Sequence, residues 1–576
     1  MILFCAATLT VAAQNDFNNN EDSQFRPQTS SRVNTDSLGS DKEIPKGIKV
    51  WTIDERFGDR TEAPVDTLQH LYMNSTFNEG LYGQYNTLGN MGTARINRIF
   101  IDRRTQGNFM FTEPYDNIVT PVSDFHFTNT YSPITNVTLN SCGDRTNGED
   151  DFKAIFAVNA NKQLGGGFRF DYKYGRGYYN AQSTSHFKYT MWTSYLGDRY
   201  QAHFLFSTNH QKVTENGGIT NDDYIKHPEQ YTDDFASNEI PTVLEENWNR
   251  NDNQHIFLSH RYSFGFNRKV KMTEEEIKAK KFAMESAKDN AAEEAKEEAR
   301  KKAREQGREF DEKAFDKNQK KQFSGRPTDA KIAGDEPAKN NKAIVANKAA
   351  QDFKSDSTRI AVNSKAMADS LLAVEKKKAQ DSLFFKTEYV PVTSFIHTVQ
   401  FDNYKRIYQA YQTPQDYYLK EYYNAGKFTG DSIYDQTRHW RIKNTVAMGT
   451  LEGFSKWAKA GLKAFASYDL RHYELPNTEG GLEKFNEHVL SVGGQLSKTQ
   501  GKTLHYNVVG EVGLTGVDAG TFAIDGSADI NLPFLGDTVQ VRGDAFIHHE
   551  TPSFYYRKYH ARHLWWDDDL GKIIHT

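Results

Sequence analysis

Three consecutive segments near the C-terminus, 504–514, 521–532 and 538–548, alternate between apolar and mainly polar residues. Side chains on a strand point alternately to its two faces, so each segment has one apolar face and one largely polar face. Each segment has roughly the ten residues that a tilted strand needs to cross the hydrocarbon core of a bilayer. The pattern therefore predicts consecutive antiparallel strands of a transmembrane β-barrel.

A large soluble antiparallel sheet is the alternative, because its strands also alternate. Strands of soluble sheets are usually only about five or six residues long, however. The polar faces here also bring charges close together, as in Asp525 with Asp529 and Arg542 with Asp544. A water-filled lumen accommodates such faces, so we favour the membrane barrel.

Similar alternation recurs at 154–160, 168–174, 186–195, 200–208, 255–266, 392–401, 440–450, 458–471 and 488–496. Short turns such as Gly197-Asp198 alternate with long polar connections such as 209–254. This asymmetry is typical of barrels with short periplasmic turns and long outer loops. The sequence thus predicts an all-β fold, a transmembrane antiparallel β-barrel of twelve or more strands, with about 14–18 in the full-length protein.

Three parts are predicted to precede the barrel. Residues 1–13 are apolar and resemble the remnant of a secretory signal peptide that lacks its basic beginning. Residues 14–47 are rich in Asn, Asp and Ser, and we predict that they are disordered after export. Residues 48–104 recover some hydrophobicity, and we predict a small periplasmic extension or plug.

A charged insert, 273–385, divides the predicted barrel into a first part, 105–272, and a second part, 386–576. The insert is dominated by Ala, Lys, Glu and Asp, and spacings such as Glu274 to Lys278 favour a solvated helix. Such a segment is too polar for hydrocarbon. We slightly favour a position of the insert on the outer side of the membrane, because long loops usually lie there.

The C-terminal region gives two further expectations. The aromatic residues of 554–566 suit an interfacial belt of a membrane protein. The chain ends on Thr576 rather than on an aromatic residue, so we expect that further C-terminal strands are missing.

Composition narrows the classes of function. The mean hydropathy is -0.76, and no apolar run reaches the roughly 18 residues of a transmembrane helix. The net charge of -5 gives no reason to expect a nucleic-acid partner. Cys5 and Cys142 are the only cysteines, too few for a disulfide framework. His548-His549-Glu550 lacks the second histidine of a zinc protease, and we recognise no paired nucleophile and base. We expect no enzyme activity, metal or cofactor.

The sequence also contains short motifs that resemble those of a known family. They are Tyr85–Gly92 followed by Arg95–Phe100, then Val390–Thr398, and Tyr555–His560. In this combination, which spans most of the chain outside the insert, the sequence resembles the Bacteroidetes putative porin family. The resemblance implies an outer-membrane β-barrel with a pore function.

The expected function is passive diffusion of small hydrophilic solutes across the bacterial outer membrane. Outer-membrane lipid and the solutes are the expected partners, and a homo-oligomer is left open. Because both signs of charge occur among the predicted pore-lining residues, we expect weak ion selectivity. Those residues are Arg169, Asp171, Lys173, Lys459, Lys463, Asp469, Arg471, Asp525, Asp529, Arg542 and Asp544. The alternative is a plugged barrel that acts as a receptor or interaction platform through its helical insert.

Overall fold

The computed structural model describes residues 48–64, 78–80, 82–103, 107, 109–144, 146–231, 235–306, 384–423, 432–450, 460–499, 503–534 and 537–576. The predicted signal remnant, the predicted disordered segment, most of the charged insert and Lys459 lie outside these residues. The chain divides into two compact units. One unit holds most of the β-structure, and the other holds a long helix of the insert.

Short elements form the N-terminal part of the described chain. A three-stranded antiparallel sheet, here called the inner sheet, has the strand order β2-β1-β5, and a separate hairpin pairs β3 with β4. Their bounds are β1 Ile48–Ile53, β2 Arg60–Ala63, β3 Tyr85–Thr87, β4 Arg95–Asn97 and β5 Phe127–Thr130. Short 3-10 helices at Phe100–Asp102, Met110–Tyr115 and Val122–Asp124 lie between β4 and β5.

A fourteen-stranded antiparallel sheet, here called the wall, dominates the fold, with strands β6 to β18 in sequence order and β21 beside β18. The predicted all-β antiparallel fold of twelve or more strands is confirmed. The strands are β6 Ile134–Cys142, β7 Glu149–Asn159, β8 Leu164–Arg176, β9 Ser183–Leu196, β10 Tyr200–Thr214, β11 Asn247–Lys271, β12 Phe385–Ala410, β13 Ile433–Thr450, β14 Gly461–Pro476, β15 Leu482–Lys498, β16 Leu504–Gly516, β17 Phe522–Phe534, β18 Asp537–Glu550 and β21 Ile573–His575. Among the described strands, β6 and β21 are the edges, and no pairing between them closes the wall.

The wall begins at Ile134, later than residue 105, where the sequence places the start of the barrel. Its strands are also longer than the alternation indicates. The predicted connection 209–254, for example, contains the end of β10 and the beginning of β11. There Asn251 and Asn253 are buried on one face while Arg250 and Asp252 form an ion pair on the other. Both faces are polar, so this part of the strand carries no alternation signal.

The two faces of the wall differ in polarity. The buried face is largely polar and the exposed face is largely apolar, which is the reverse of a soluble sheet. On β9 the buried residues include His186, Lys188 and Thr190, whereas the intervening Phe187 and Met191 are 37% and 41% exposed. Similar exposed apolar side chains continue around the wall at Phe264, Phe395, Val446, Met448, Leu462, Val492, Val508 and Ile524. A soluble sheet buries its apolar face, so this arrangement favours a lipid-facing exterior and a polar interior.

The remaining elements are short, apart from one helix. The helix Glu274–Glu305 begins at Thr273, whose hydroxyl oxygen accepts from the Glu276 backbone N–H while the Glu276 side chain accepts from the Thr273 N–H. One-turn helices lie at Asp223–Lys226 and Phe554–Arg557, and β19 Lys558–His560 pairs with β20 Trp565–Asp567. No helix among the described residues is long and apolar enough to span a membrane.

The two ends of the wall have different connections. At one end, here the short-turn end, the strands are joined by turns such as 160–163 and 197–199. At the other, the long-loop end, they are joined by connections such as 215–246, 411–432 and 551–572. By the antiparallel order, β11 ends and β12 begins at the short-turn end, and the insert joins these two strands in sequence.

Candidate lumen and its inner segments

The inner sheet packs against the polar face of the wall. Trp51 and Phe127 are buried together with Trp192 of β9 and Phe257 of β11. The indole Nε1 of Trp51 donates a 3.2 Å hydrogen bond to Nε2 of His203 on β10. The residues 48–53 and 127–130 are therefore fixed to the middle of the wall rather than extending away from it.

The turn 54–59 reaches a different part of the wall. Phe57 is buried against Phe465 of β14, with ring centroids 5.4 Å apart in an edge-to-face arrangement. Arg56 forms a 3.1 Å ion pair with Glu511 of β16, and its carbonyl oxygen accepts from the Thr398 hydroxyl at 3.1 Å. The inner sheet and this turn together contact strands β7, β9 to β14 and β16, so they lie against the inner face of most of the wall.

Asp59 is the charged anchor of this turn. Its carboxylate pairs with Arg261 of β11 and with Lys463 of β14. Burial acts to raise the pKa of Asp59, but the two cations outweigh it and hold the pKa below its ordinary value. The carboxylate therefore stays charged and links two strands that are distant along the wall.

The segment Asn90–Gly92, part of one family motif, is a second anchor on the inner face. The Met91 N–H donates a 2.8 Å hydrogen bond to the Glu149 carboxylate. His186 Nε2 donates a 2.6 Å hydrogen bond to the Gly92 carbonyl oxygen. Gly92 has φ +73, and a Cβ there would come within 2.7 Å of the His186 ring. Glycine is required at this position because of both the backbone conformation and the close approach.

Residues 551–567 fold inwards at the long-loop end. Tyr555 is 2% exposed, and its ring lies 5.5 Å from that of Phe109 and 5.7 Å from that of Tyr473 on β14. Phe554 stacks on Tyr473 with centroids 3.8 Å apart. These aromatic residues therefore fill an interior cluster, and the expectation that Tyr555 belongs to an interfacial belt is wrong. The sequence shows only that aromatic residues are frequent in this segment, and an interfacial belt and an interior cluster are both rich in them.

A row of charges crosses the inner face between these two regions. Arg441 of β13 donates to both carboxylate oxygens of Asp469 on β14, at 2.9 and 2.7 Å. Arg471 donates to the same carboxylate at 3.0 Å and to Asp518 at 3.2 Å. Every one of these charges has an opposite partner, as buried ion pairs require.

Three cavities lie beside the inner segments among the described residues. The largest, about 3050 Å³, is mainly apolar and lies between the hairpin β3–β4, the residues 120–123 and the edge of the wall at β16–β18. The other two are mainly polar. The larger of these, about 940 Å³, opens near the short-turn end and lies between the turn 54–59 and strands β10 to β17. The smaller, about 240 Å³, lies between β13–β17 and the inward-folded residues 551–557. Arg441 and Lys443 line both polar cavities. The two polar cavities therefore adjoin each other at these two side chains.

A family model described as "Putative porin" matches residues 47–576. The chain belongs to this porin family. No curated protein matches it. Among solved structures, a mutant ferric enterobactin receptor from Pseudomonas aeruginosa is similar over 74% of this chain and 45% of the receptor chain, with 6% sequence identity and a TM-score of 0.36. The porin-family chain thus spans less than half the length of that receptor.

The predicted pore-lining residues fall into three groups in this porin-family chain. Lys463 and Asp525 line the larger polar cavity, and Asp469 and Arg471 line the smaller one. On β8, Asp171 and Lys173 are buried, with Arg169 paired to Asp171 at 2.8 Å. Near the edge of the wall, the Asp529 carboxylate is hydrogen-bonded to His505 at 2.8 Å. Arg542 forms a 3.1 Å ion pair with the exposed Asp544. Their pore-lining role remains a prediction.

Sequence reasoning missed the residues at the junction of the two polar cavities. Arg441 and Lys443 lie in the predicted strand 440–450, where they alternate with Trp440 and Ile442, so the alternation alone could have assigned them to the lumen. Asp59 carried no such signal. Its partners are Arg261 and Lys463, and only the tertiary fold brings residues so distant in sequence together.

Proposed function

We propose that this porin-family protein is an outer-membrane pore through which small hydrophilic solutes diffuse passively. The observation that carries the proposal is the pair of polar cavities that share Arg441 and Lys443. Small solutes would pass through these cavities beside the inner segments, and the charged side chains that line them favour water-soluble molecules over apolar ones.

The wall supports a location in the outer membrane. Its exposed apolar side chains reach the turns at the short-turn end, as with Phe264 and Leu462. Towards the long-loop end the outer face instead carries ion pairs such as His210 with Asp252 and Arg438 with Glu474. Barrels of this class have short periplasmic turns and longer outer loops. We therefore place the short-turn end in the periplasm, and with it the charged insert, contrary to the slight lean from sequence.

A plugged barrel that acts as an interaction platform is the second candidate. The inner sheet and the turn 54–59 favour it, since they are fixed to the wall by Trp51, Phe57 and Asp59. In that case the inner segments would block the passage of solutes, and the insert would bind the partner. The two candidates differ in whether the protein conducts ions.

The test is a pair of measurements on the full-length protein purified in detergent. Gel mobility with and without boiling reports a closed, heat-modifiable barrel, and planar-bilayer recordings report an open pore. We expect a mobility shift and discrete conductance steps, both retained after deletion of 273–385. A shift without conductance would favour the platform, and a protein that is soluble without detergent would contradict both candidates.

A further inference from the structure

At the junction of the two polar cavities lies Lys443, a cation to which the described residues provide no paired carboxylate. Lys443 lines both cavities, and its register neighbours are Gln400 on β12 and Asp469 on β14. Among the residues that the structure describes, no hydrogen bond or ion pair is formed by the Lys443 ammonium group. The lysine thus differs from Arg441, two residues away, which binds Asp469 with two nitrogens.

Two carboxylates near Lys443, those of Asp469 and Glu511, are already occupied by other donors. Asp469 accepts from both Arg441 and Arg471. Glu511, which lines the smaller polar cavity, pairs with Arg56 at 3.1 Å and accepts from the Ser491 hydroxyl. A cation in a confined, poorly solvated space attracts an anion strongly when neighbouring charges cancel each other.

Two further carboxyl groups line the larger polar cavity, and neither has an ion-pair partner within the part of the chain that the structure describes. The Asp54 carboxylate accepts from the Phe57 backbone N–H at 2.8 Å, and Glu55 accepts from the Ser123 N–H at 3.4 Å. Burial raises the pKa of both groups. Each carboxyl group is held by a backbone N–H and not by Lys443.

We infer that Lys443 is the specificity-determining residue of the pore and that its ammonium group binds the oxyanion of a small solute, a carboxylate or a phosphate. This inference rests on the proposed pore function and refines it. An ammonium group is a compact charge with three donors, suited to transient binding of oxyanions that pass. The weak selectivity expected from sequence changes to an anion preference, because Arg441, Arg471 and Glu511 each have a partner of opposite charge.

The experiment compares the full-length protein with Lys443→Gln, Lys443→Arg and the control Lys405→Gln in planar bilayers under a potassium chloride gradient. Lys405 lies on the opposite face of β12 from Gln400 and Asp402, outside the lumen. We expect the wild type to prefer chloride over potassium by roughly threefold or more. The preference should approach parity in Lys443→Gln and persist in Lys443→Arg and Lys405→Gln.

Added solutes identify the chemistry of the site. Inorganic phosphate and succinate, tested separately, should each reduce the chloride current of the wild type but not of Lys443→Gln, whereas uncharged glucose should reduce neither. Block by only one of them would narrow the site to phosphate or to carboxylate. If Lys443→Gln fails to fold, the chloride preference of the wild type and the reduction of its current by phosphate or succinate still test the proposal.

The outcomes separate this inference from the proposed function. A folded protein without conductance would overturn the pore itself. Open channels that prefer cations, or that respond to phosphate and succinate no differently from glucose, would overturn only the assignment of Lys443. An unchanged preference in a folded Lys443→Gln variant would do the same.

Discussion

Trp51 of the inner sheet and His203 of the wall are joined by a 3.2 Å hydrogen bond although 152 residues separate them in sequence. The Trp51 ring is also stacked on Phe127, with centroids 6.2 Å apart. A buried indole N–H needs an acceptor, and the His203 nitrogen supplies it. The inner sheet is therefore an integral part of the folded wall.

The first prediction concerns that contact. Trp51→Phe removes the donor but keeps an apolar ring, so we expect the free energy of unfolding to fall by about 1–3 kcal/mol. Trp51→Ala removes the ring as well and should lower the free energy of unfolding by about 3–5 kcal/mol. The urea concentration at which the folded band disappears on unboiled gels measures both. Trp440→Phe, on the other face of the wall, is the control and should change the midpoint little. Equal midpoints for all three variants would refute the anchoring role.

The second prediction concerns Asp59, which pairs with Arg261 and Lys463. Asp59→Asn leaves both cations without their carboxylate, so we expect the turn 54–59 to detach more often and the single-channel conductance to rise or fluctuate. Because the pKa of Asp59 is lowered in the folded state, the stability from its charge is present above the ordinary pKa of 3.8 and lost as the pH falls through the lower folded value.

Planar-bilayer recordings of Asp59→Asn provide the measurement. The matched control is Asp222→Asn, which breaks an exposed 2.7 Å ion pair with Lys226 in a loop and should leave the conductance unchanged, since exposed pairs contribute little. Identical traces for Asp59→Asn and wild type would show that the turn is held by its apolar contacts alone.

The third prediction compares two adjacent tyrosines at the long-loop end. Tyr555 is 2% exposed within the aromatic cluster, whereas Tyr556 is 53% exposed. Tyr555→Ala should release residues 551–567 from the interior and make the peptide bond after Arg557 sensitive to trypsin. Tyr556→Ala should remain as resistant as the wild type. If both variants are cleaved at the same rate, the cluster does not hold this segment.

The fourth prediction concerns the acidity of Glu215, which follows β10. Burial raises the pKa of Glu215 to about 7 from an ordinary 4.5, so the folded state favours the protonated form. Its contribution to local stability is complete below pH 4.5 and is lost as the pH rises through about 7. The connection 215–246 should therefore open more readily at pH 8 than at pH 5.

Hydrogen exchange at the Leu244 amide, which donates 2.8 Å to the Asn216 carbonyl oxygen, reports this opening after correction for the intrinsic pH dependence. We expect protection to fall by about tenfold or more between the two pH values in the wild type, and to be nearly constant in Glu215→Gln. Glu229→Gln, an exposed carboxylate in the same connection, should behave like the wild type. A constant wild-type protection would contradict the prediction.

The fifth prediction concerns the orientation in the membrane. Cys142 is exposed at the end of β6, which lies at the long-loop end, so a membrane-impermeant maleimide should label it in intact cells. In a Cys142→Ser background, Ser286→Cys in the helix Glu274–Glu305 should react only after the outer membrane is permeabilised. The reverse pattern would place the short-turn end outside.

The sequence by itself determined the class of fold and the polarity of its faces. Alternation with period two, as in 504–514, depends only on neighbouring residues, so β16, β17 and β18 were predicted within a few residues of their bounds. The same pattern continues in β13, where Lys443 follows the apolar Ile442 and shares a face with Arg441, although the pore-lining residues predicted from the alternation did not include it. A strand pattern carries no information about which charges across the sheet will meet.

The tertiary structure alone decided what fills the interior and which charges remain available. Trp51, Asp59 and Tyr555 act through partners that are far away in sequence, and such contacts depend on the curvature and register of the whole wall. The same aromatic residues could have faced lipid or the interior on composition alone. Pairing across strands occupies Asp469 and Glu511 and leaves Lys443 without a protein partner among the described residues, because each carboxylate has room for only a few donors.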